Sequence, residues 1–577
     1  MTVRSSERGV SLLDTLVGVA LMMVVFLGIG AAFRLSIDVI TNNKARAGAI
    51  ALANERMEYI RSLSYTQLGT SGGIPSGSLA QNETIQLNGI PYTRRTLIEY
   101  ADDPKDGTGG ADTNSITADY KQVKVDISWY SRPAIRHITL GSRFSPVGIE
   151  TAVPGGTLVV NAVNASGVPL TGAQVRVVNA STTPAIDVTT YTNASGTVTL
   201  IGSPAASNYQ VTVSQTGYSS AQTYTTTSQN TNPSPANLTV TNNHTTTGTF
   251  AIDLVGSDMI YTWTPIADGT WTDTFADTTK VASSTGISVA SGLARLTGPS
   301  PYAEYGEIQS IAIGPSLLAH WKSLSWTATQ PASTSLRFSV FDGSGTTLIP
   351  DGQLPGNSSG FTVSPVDLSG ISTSTYSALR VGMLFGSASS SQTPSLDSYA
   401  IGFDAGPTPV PNIAFSLRGA KTIGSGPSGT LYKYNQSLTT NASAVNAIAG
   451  LEWDTYLLTV SGTTTGYDIA SSCSPQPNSL SPGGALVTNL YLVPHTTNSL
   501  LVAVRSATST QLLSGISVWL TRTGFAATST TDSCGQAFFS GLTSSSAYTV
   551  NASSTGYTTV SASTTVGGAS ATELLFD

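Results

Sequence analysis

Asp14 is the carboxylate in this chain whose position asks most for a chemical explanation. It stands between a short leader, Met1 to Gly9 with Arg4 and Arg8, and a run from Thr15 to Phe33 that carries no charge. As a helix that run is roughly 28 Å long, enough to cross the hydrocarbon core of a bilayer. A carboxylate at its mouth is costly unless a positive group neutralises it, because charges taken out of water persist in pairs. Catalytic groupings find little support elsewhere. The four histidines, His137, His244, His320 and His495, fall in four separate segments, which suggests neither a metal cluster nor a Ser–His–Asp arrangement. Glu304, Glu307, Asp342 and Asp351 could supply a glycosidase's two carboxylates by residue type alone. The sequence reads as a protein that is not an enzyme.

The basic leader ending in Gly9, the apolar run and the acid five residues past that glycine resemble the type IV prepilin N-terminus, shared by pilins and by the pseudopilins of type II secretion. The resemblance implies cutting after Gly9 by a prepilin peptidase, N-methylation of Val10 as the first mature residue, and Asp14 as the assembly acid. Cleavage would leave a new positive amine on an apolar helix. The Asp14 carboxylate of one subunit could neutralise the amine of a neighbour and set the axial register between them. The family usually has Phe first and Glu as its acid, so Val10 and Asp14 point toward a minor subunit. An ordinary signal anchor or a secretory signal with a stray Asp is the other reading. A secretory signal would have a shorter apolar core and a small-residue cleavage site after it.

These residues need a helix that runs on beyond the apolar segment. Arg34 to Leu63 lacks proline, contains only Gly48, and is rich in strong helix formers. Ile37, Ile40, Ala47, Ala51, Met57 and Ile60 recur near helical spacing. The spacing predicts one helix of roughly 80 Å over residues 10–65. Residues 66–150 then read as a small pilin-type β domain, with a hairpin turning at Asn88-Gly89 and alternating strands around Tyr120–Tyr130 and Arg136–Phe144. The loop carrying Asp102, Asp103, Asp106 and Asp112 could hold Ca²⁺ by charge, but it lacks the ordered ligand spacing of a calcium loop and also reads as a solvated turn.

At 577 residues the chain must hold several cores. Only 10% of residues are charged and the net charge is −7, so nucleic acid is not an expected partner. Short apolar runs between turn residues predict β structure, whereas a disordered stalk would carry few of the 22 tyrosines. An internal repeat is visible. Leu158–Val163, Leu170–Val175, Thr192–Gly196 and Tyr209…Gly217-Tyr218 correspond to Leu500–Val504, Leu513–Val518, Thr531–Gly535 and Tyr548…Gly556-Tyr557. These copies, 155–250 and 498–577, resemble carboxypeptidase regulatory-like and Cna-B-type β-sandwiches. A third copy over 411–495 repeats the ending, Tyr456…Gly466-Tyr467, with a degenerate central turn. The lysine–asparagine isopeptide bond of some Cna-B domains is excluded from the two clear copies, which contain no lysine. In an exported protein Cys473 and Cys534, the only thiols, would form a disulfide clipping the last two modules together; free buried thiols are the alternative.

Residues 256–406 interrupt the repeat and resemble the jelly rolls of laminin-G-like and carbohydrate-binding modules. Trp263, Trp271, Trp321 and Trp326 could stack on sugar rings or fill the core. Asp258, Asp273, Asp277, Asp397 and Asp404 could hold a structural Ca²⁺, the one cofactor considered. The expected fold is therefore multidomain and mostly β. A long N-terminal pilin α-helix and a small α+β pilin domain precede β-sandwich modules and one jelly-roll sandwich. The expected function is that of a minor, accessory or tip, subunit of a type IV pilus that displays β modules for surface attachment. The alternatives are a type II secretion pseudopilin and a membrane-anchored surface adhesin or glycan-binding protein outside any fibre. The expected partners are other pilin subunits, the prepilin peptidase, the inner membrane, and a carbohydrate or neighbour-cell ligand. The expected location is the inner membrane as a single-pass protein, then the pilus surface.

Overall fold

The computed structural model describes residues 12–107, 111, 113, 116–131, 134–148 and 152–576. Helix α1 spans Leu12–Arg61. Its final third lies on an antiparallel sheet ordered Asn82–Leu87, Ile90–Ala101, Tyr120–Ser131, Ala134–Phe144. The buried helix face is built from Ala45, Ala49, Leu52, Ala53, Met57 and Ile60 against Val123, Val125, Ile127 and Trp129. Three of these six residues are alanines, which lets the sheet come close. At Gly48 the approach is tightest: a Cβ there would lie 2.6 Å from the Tyr92 hydroxyl, which donates to the Ala45 carbonyl at 2.9 Å. Buried Arg56 adds a polar clamp, reaching Glu83 at 3.3 Å and Thr96 Oγ1 at 3.2 Å.

Beyond Pro154 the chain is a series of two-sheet sandwiches. Each of three modules pairs its first and last strands in parallel: Gly156–Val163 with Thr245–Ala251, Gly256–Thr264 with Ala485–Pro494, and Ser499–Ser506 with Ala569–Phe576. Each keeps its own apolar core. Each also buries one tyrosine whose hydroxyl returns to a carbonyl a few residues upstream. Tyr209 donates to Pro204 at 2.6 Å, Tyr456 to Glu452 at 2.7 Å and Tyr548 to Thr543 at 3.0 Å. The phenol thus fills the core while its polar end stays satisfied.

The second module differs from the sequence expectation in two respects. Its first strand, Gly256–Thr264, was expected inside the 256–406 unit but pairs instead with Ala485–Pro494 and Val445–Leu451. A separate sandwich spanning strands Ala267–Asp273 to Ser395–Ala405 is inserted between this strand and the rest of its module. The module's central turn is also intact rather than degenerate. Asn441 Oδ1 accepts from the amides of Ser443 and Val445, as Asn193 does from Ser195 and Thr197, and Asp532 from Cys534 and Gln536. The left-handed position that is Gly196 and Gly535 in the outer modules is Ala444 here, at φ 60°. In all three its carbonyl accepts from the first strand, at Ala162, Thr262 and Val504. A search keyed on glycine passes over this turn.

The inserted sandwich has one core, including Phe275, Trp321, Leu324, Phe338, Phe385 and Tyr399, between two antiparallel sheets. One contains Leu318–Thr329 and Ser395–Ala405. The other is ordered Val281–Thr285, Tyr305–Ser310, Leu379–Ser387, Thr334–Asp342.

An L-residue in the left-handed region costs roughly 1–2 kcal/mol. Ala444→Gly should therefore raise the stability of the second module by about 1 kcal/mol, less the backbone entropy glycine adds to the unfolded chain. Calorimetric unfolding of the full chain checks this; an unchanged or lowered transition would contradict the strain assignment.

Candidate functional site

The unusual surface of this molecule is the first part of α1. From Leu12 to Ile40 its large apolar residues are exposed, among them Leu16, Met22, Phe26, Phe33 and Ile40, each more than 60% accessible. This is the one helix among the described residues long and apolar enough to span a membrane, with a mean hydropathy of 2.6 over its most apolar window. Burying a side chain of this kind is worth roughly 1.5–3 kcal/mol, so the segment requires lipid or other apolar helices around it. Asp14 lies within the helix near its beginning, and its side chain lies outside the described features. Gly9 and Val10, expected as the processing site, lie outside the described residues.

Polar contacts hold the segment that follows the docked end of the helix. Buried Lys121 donates from Nζ to the carbonyls of Tyr65 at 2.8 Å and Leu68 at 2.7 Å, and lies 4.7 Å from the Tyr65 ring centre. It ties the turn after α1 to the sheet. Burial pulls its ammonium down to about 8. The next joint is also polar: Thr190 of the first module donates to Glu99 at 3.0 Å, and Gln81 donates to the Asp187 carbonyl at 2.7 Å. Ile74 and Leu97 of the basal domain complete the first module's core. Burial pushes the Glu99 carboxyl up.

The remaining joints are equally specific. Asn232–Pro233 of the first module pairs with Thr422–Gly426 of the second, and Lys421 contacts Glu452 at 2.8 Å beneath that joint. Cys473 and Cys534 are joined in a disulfide between the second and third modules. Beside it the Ser472 amide donates to Gln536 Oε1 at 2.7 Å, while at the other end of the strand Tyr467–Ser472, His495 meets Asp468 at 2.8 Å.

The four tryptophans considered for sugar stacking are used for packing. Trp321 is buried and its indole donates to the Tyr376 carbonyl at 2.9 Å. Trp326 stacks on Phe338 with ring centres 3.9 Å apart, and Trp271 leans on Tyr399 at 5.6 Å. Trp263 belongs to the second module, where it donates to Asn489 at 3.1 Å. The acidic residues are likewise committed or dispersed. Asp258 is buried against Thr488 in the second module, Asp273 caps the Phe275 amide, Asp277 holds Thr279, and Asp404 contacts Lys322 at 3.3 Å. Asp342 and Asp351, considered as catalytic by type, hold the turns at Ser344 and Ser358. Among the described residues no group of three or more His, Cys, Asp or Glu is placed to hold a metal; Asp112 lies outside them.

No protein-family model matches the sequence, and no curated protein matches it. Solved structures similar to the chain include the Bacillus anthracis TIE protein, at 11% identity over 86% of this chain and 73% of that one, with a TM-score of 0.15. BcpA, the major pilin subunit of Bacillus cereus, is 8% identical over 73% of this chain and 99% of its own, with a TM-score of 0.13. GBS52, the minor pilin of Streptococcus agalactiae, is 12% identical over 30% and 83%, with a TM-score of 0.11. Likeness at this level leaves the function of the chain to its own residues.

Two predictions test these joints. A lysine that deprotonates near 8 when folded and near 10.4 when unfolded makes stability rise as pH climbs from about 8 toward 10, and leaves it flat below. Lys121→Met should abolish that rise in thermal melts of the basal domain's transition. Cys473→Ser with Cys534→Ser removes a link across 61 residues and should cost the second and third modules roughly 4 kcal/mol in denaturant unfolding.

Proposed function

We propose that this chain is a minor, accessory or tip, subunit of a type IV pilus, assembled through α1 and displaying β modules for surface attachment. The observation that carries the proposal is the division of α1. Its first part is bare, apolar and headed by Asp14, while its last part is built into a folded domain. A helix that served only as an anchor would need neither a carboxylate at its mouth nor a glycine-ended basic leader. In the assembled state the amine of Val10 on one subunit and the carboxylate of Asp14 on another would neutralise each other among packed helices. The inner membrane holds the helix before assembly, and a prepilin peptidase releases Val10. The modules beyond Pro154 are then carried outside.

Mass spectrometry of the mature N-terminus is the deciding measurement, with N-methylated Val10 as the expected result. An intact Met1, or a cut after Ala31 or Ala32, would refute the assignment and leave a membrane-anchored surface protein. Removing one member of a buried charge pair costs roughly 3–5 kcal/mol. Asp14→Ala should therefore deplete the protein from sheared fibres while its β modules keep their thermal transitions.

A further inference from the structure

The end of the basal domain from which α1 emerges differs in charge from the rest of the chain. The Tyr92 hydroxyl donates to the Ala45 carbonyl, Leu87 and Tyr92 pack over Gly48, and Arg56 meets Glu83 further along. The strands therefore run alongside the docked helix, and register brings Tyr92, Trp129 and Arg136 into one row near its start. Past that row lie Ile90 and Pro91 at one strand end, and Tyr130, Ala134 and Ile135 at the next two. Ile135 is 73% exposed and Tyr130 62%. Lys44 and Arg46 on the helix and Arg136 on the sheet are exposed at the same level. The carboxylates of the domain are held further in, Glu83 by Arg56 and Arg94 and Asp126 by Thr139 and His137. Residues 39–47, 87–92 and 128–137 contain no Asp or Glu, in a chain whose net charge is −7.

We infer that this basic, partly apolar rim is a docking surface for the anionic lipid bilayer that α1 crosses. The exposed apolar run of α1 continues through Leu35, Ile37 and Val39 to Ile40, and polar residues begin at Thr41. Five residues separate Ile40 from Ala45, about 7.5 Å of helix. The headgroup layer of one leaflet is roughly 5–7.5 Å thick. With Ile40 at the edge of the hydrocarbon, the rim meets the lipid phosphates. Arg34 and Asp38, one turn apart, then lie just below that edge, where their opposite charges offset each other. The apolar run from Leu12 to Ile40 exceeds the hydrocarbon thickness, so α1 tilts, and a tilt lowers one side of the rim onto the surface. Tyr130 suits the interface, its ring at the acyl boundary and its hydroxyl among the headgroups. Lys44, Arg46 and Arg136 are drawn to lipid phosphates, each cation near an anionic surface shifting the balance about fivefold. The first module is attached at the opposite end of the sheet, through Gln81 and Glu99, so a domain resting on this rim points the modules away from the membrane. The inference rests on α1 lying in a membrane, the first step of the pilus reading, and not on processing or assembly.

The test uses the full chain with α1 reconstituted into nanodiscs of phosphatidylcholine, with or without phosphatidylglycerol. A bimane on Ala134→Cys, an exposed position at the rim, reports contact through quenching by lipid that carries a nitroxide on its headgroup. The expected result is stronger quenching in the phosphatidylglycerol discs, lost at about 1 M salt, where the Debye length falls to about 3 Å. Lys44→Gln, Arg46→Gln and Arg136→Gln together should lower the docked-to-free ratio at least about tenfold. Arg143→Gln, at the far end of the strand Ala134–Phe144, should leave it unchanged. The three substituted side chains are exposed, so thermal transitions should match those of the parent protein. Quenching that is absent from both discs, equal in both, dependent on a second copy in the disc, or indifferent to the triple substitution would overturn the docking surface. Absence of quenching alongside N-methylated Val10 refutes the rim alone. Quenching in a chain with an intact Met1 refutes the pilus reading alone.

Discussion

The parallel pairing of each module's first and last strands governs the layout of everything beyond the basal domain. With these strands side by side and pointing the same way, the chain enters a sandwich at one end and leaves it at the other. Successive modules must then follow head to tail. The loop after each first strand also falls at the outgoing end. In the first and third modules that loop is short, closed by Leu170 on Ala162 and by Leu513 on Val504. In the second module the same bond runs from Val410 to Thr262, and the whole inserted sandwich occupies the loop. It leaves and returns on the adjacent strands Gly256–Thr264 and Thr408–Pro409, so the host module closes as its siblings do. Insertions of this kind are tolerated at loop tips because little buried backbone is disturbed.

The same geometry accounts for where the strong links lie. Trp263, at the end of the second module's first strand, donates to Asn489, whose carbonyl accepts from Cys473. The stem of the inserted sandwich and the disulfide to the third module therefore meet at one end of the second module. A joint that carries two bodies has more to hold, and a covalent link stands there. The earlier joints rely on strand pairing, shared apolar contacts and polar pairs, with Glu99 and Lys421 taken partly out of water to make them.

The helix obeys a separate constraint. It has two environments along one axis, and the change between them is written in side-chain size as well as hydropathy. Bulky Leu, Met, Val and Phe dominate before Arg34, whereas on the face the sheet covers the small Ala45, Gly48, Ala49 and Ala53 stand beside Leu52, Met57 and Ile60. Large residues suit an apolar medium of any shape, and small ones suit a particular close neighbour.

Local order was legible from the residues themselves: the helix, the hairpin turn at Asn88-Gly89, the alternating strands, and the outer two modules with their repeated turns and Tyr…Gly-Tyr endings. These follow from short-range rules of periodicity, turn chemistry and capping. The partners of Gly256–Thr264 were not legible. A strand's alternation says which face is buried but not which strand, some 220 residues on, completes the sheet, and contiguity assigned it to the wrong unit. The Ala444 turn was hidden because tertiary packing overrides the residue preference that glycine would have signalled. The tryptophans show the same limit in another form. Residue type marked them as able to stack on a ligand, but only the packing of two sheets against each other turned them inward. Sequence alone determined what each segment could become, because propensity and pattern are local. Which segments close on one another, and which side chains remain exposed, was settled by long-range burial that no window of sequence contains.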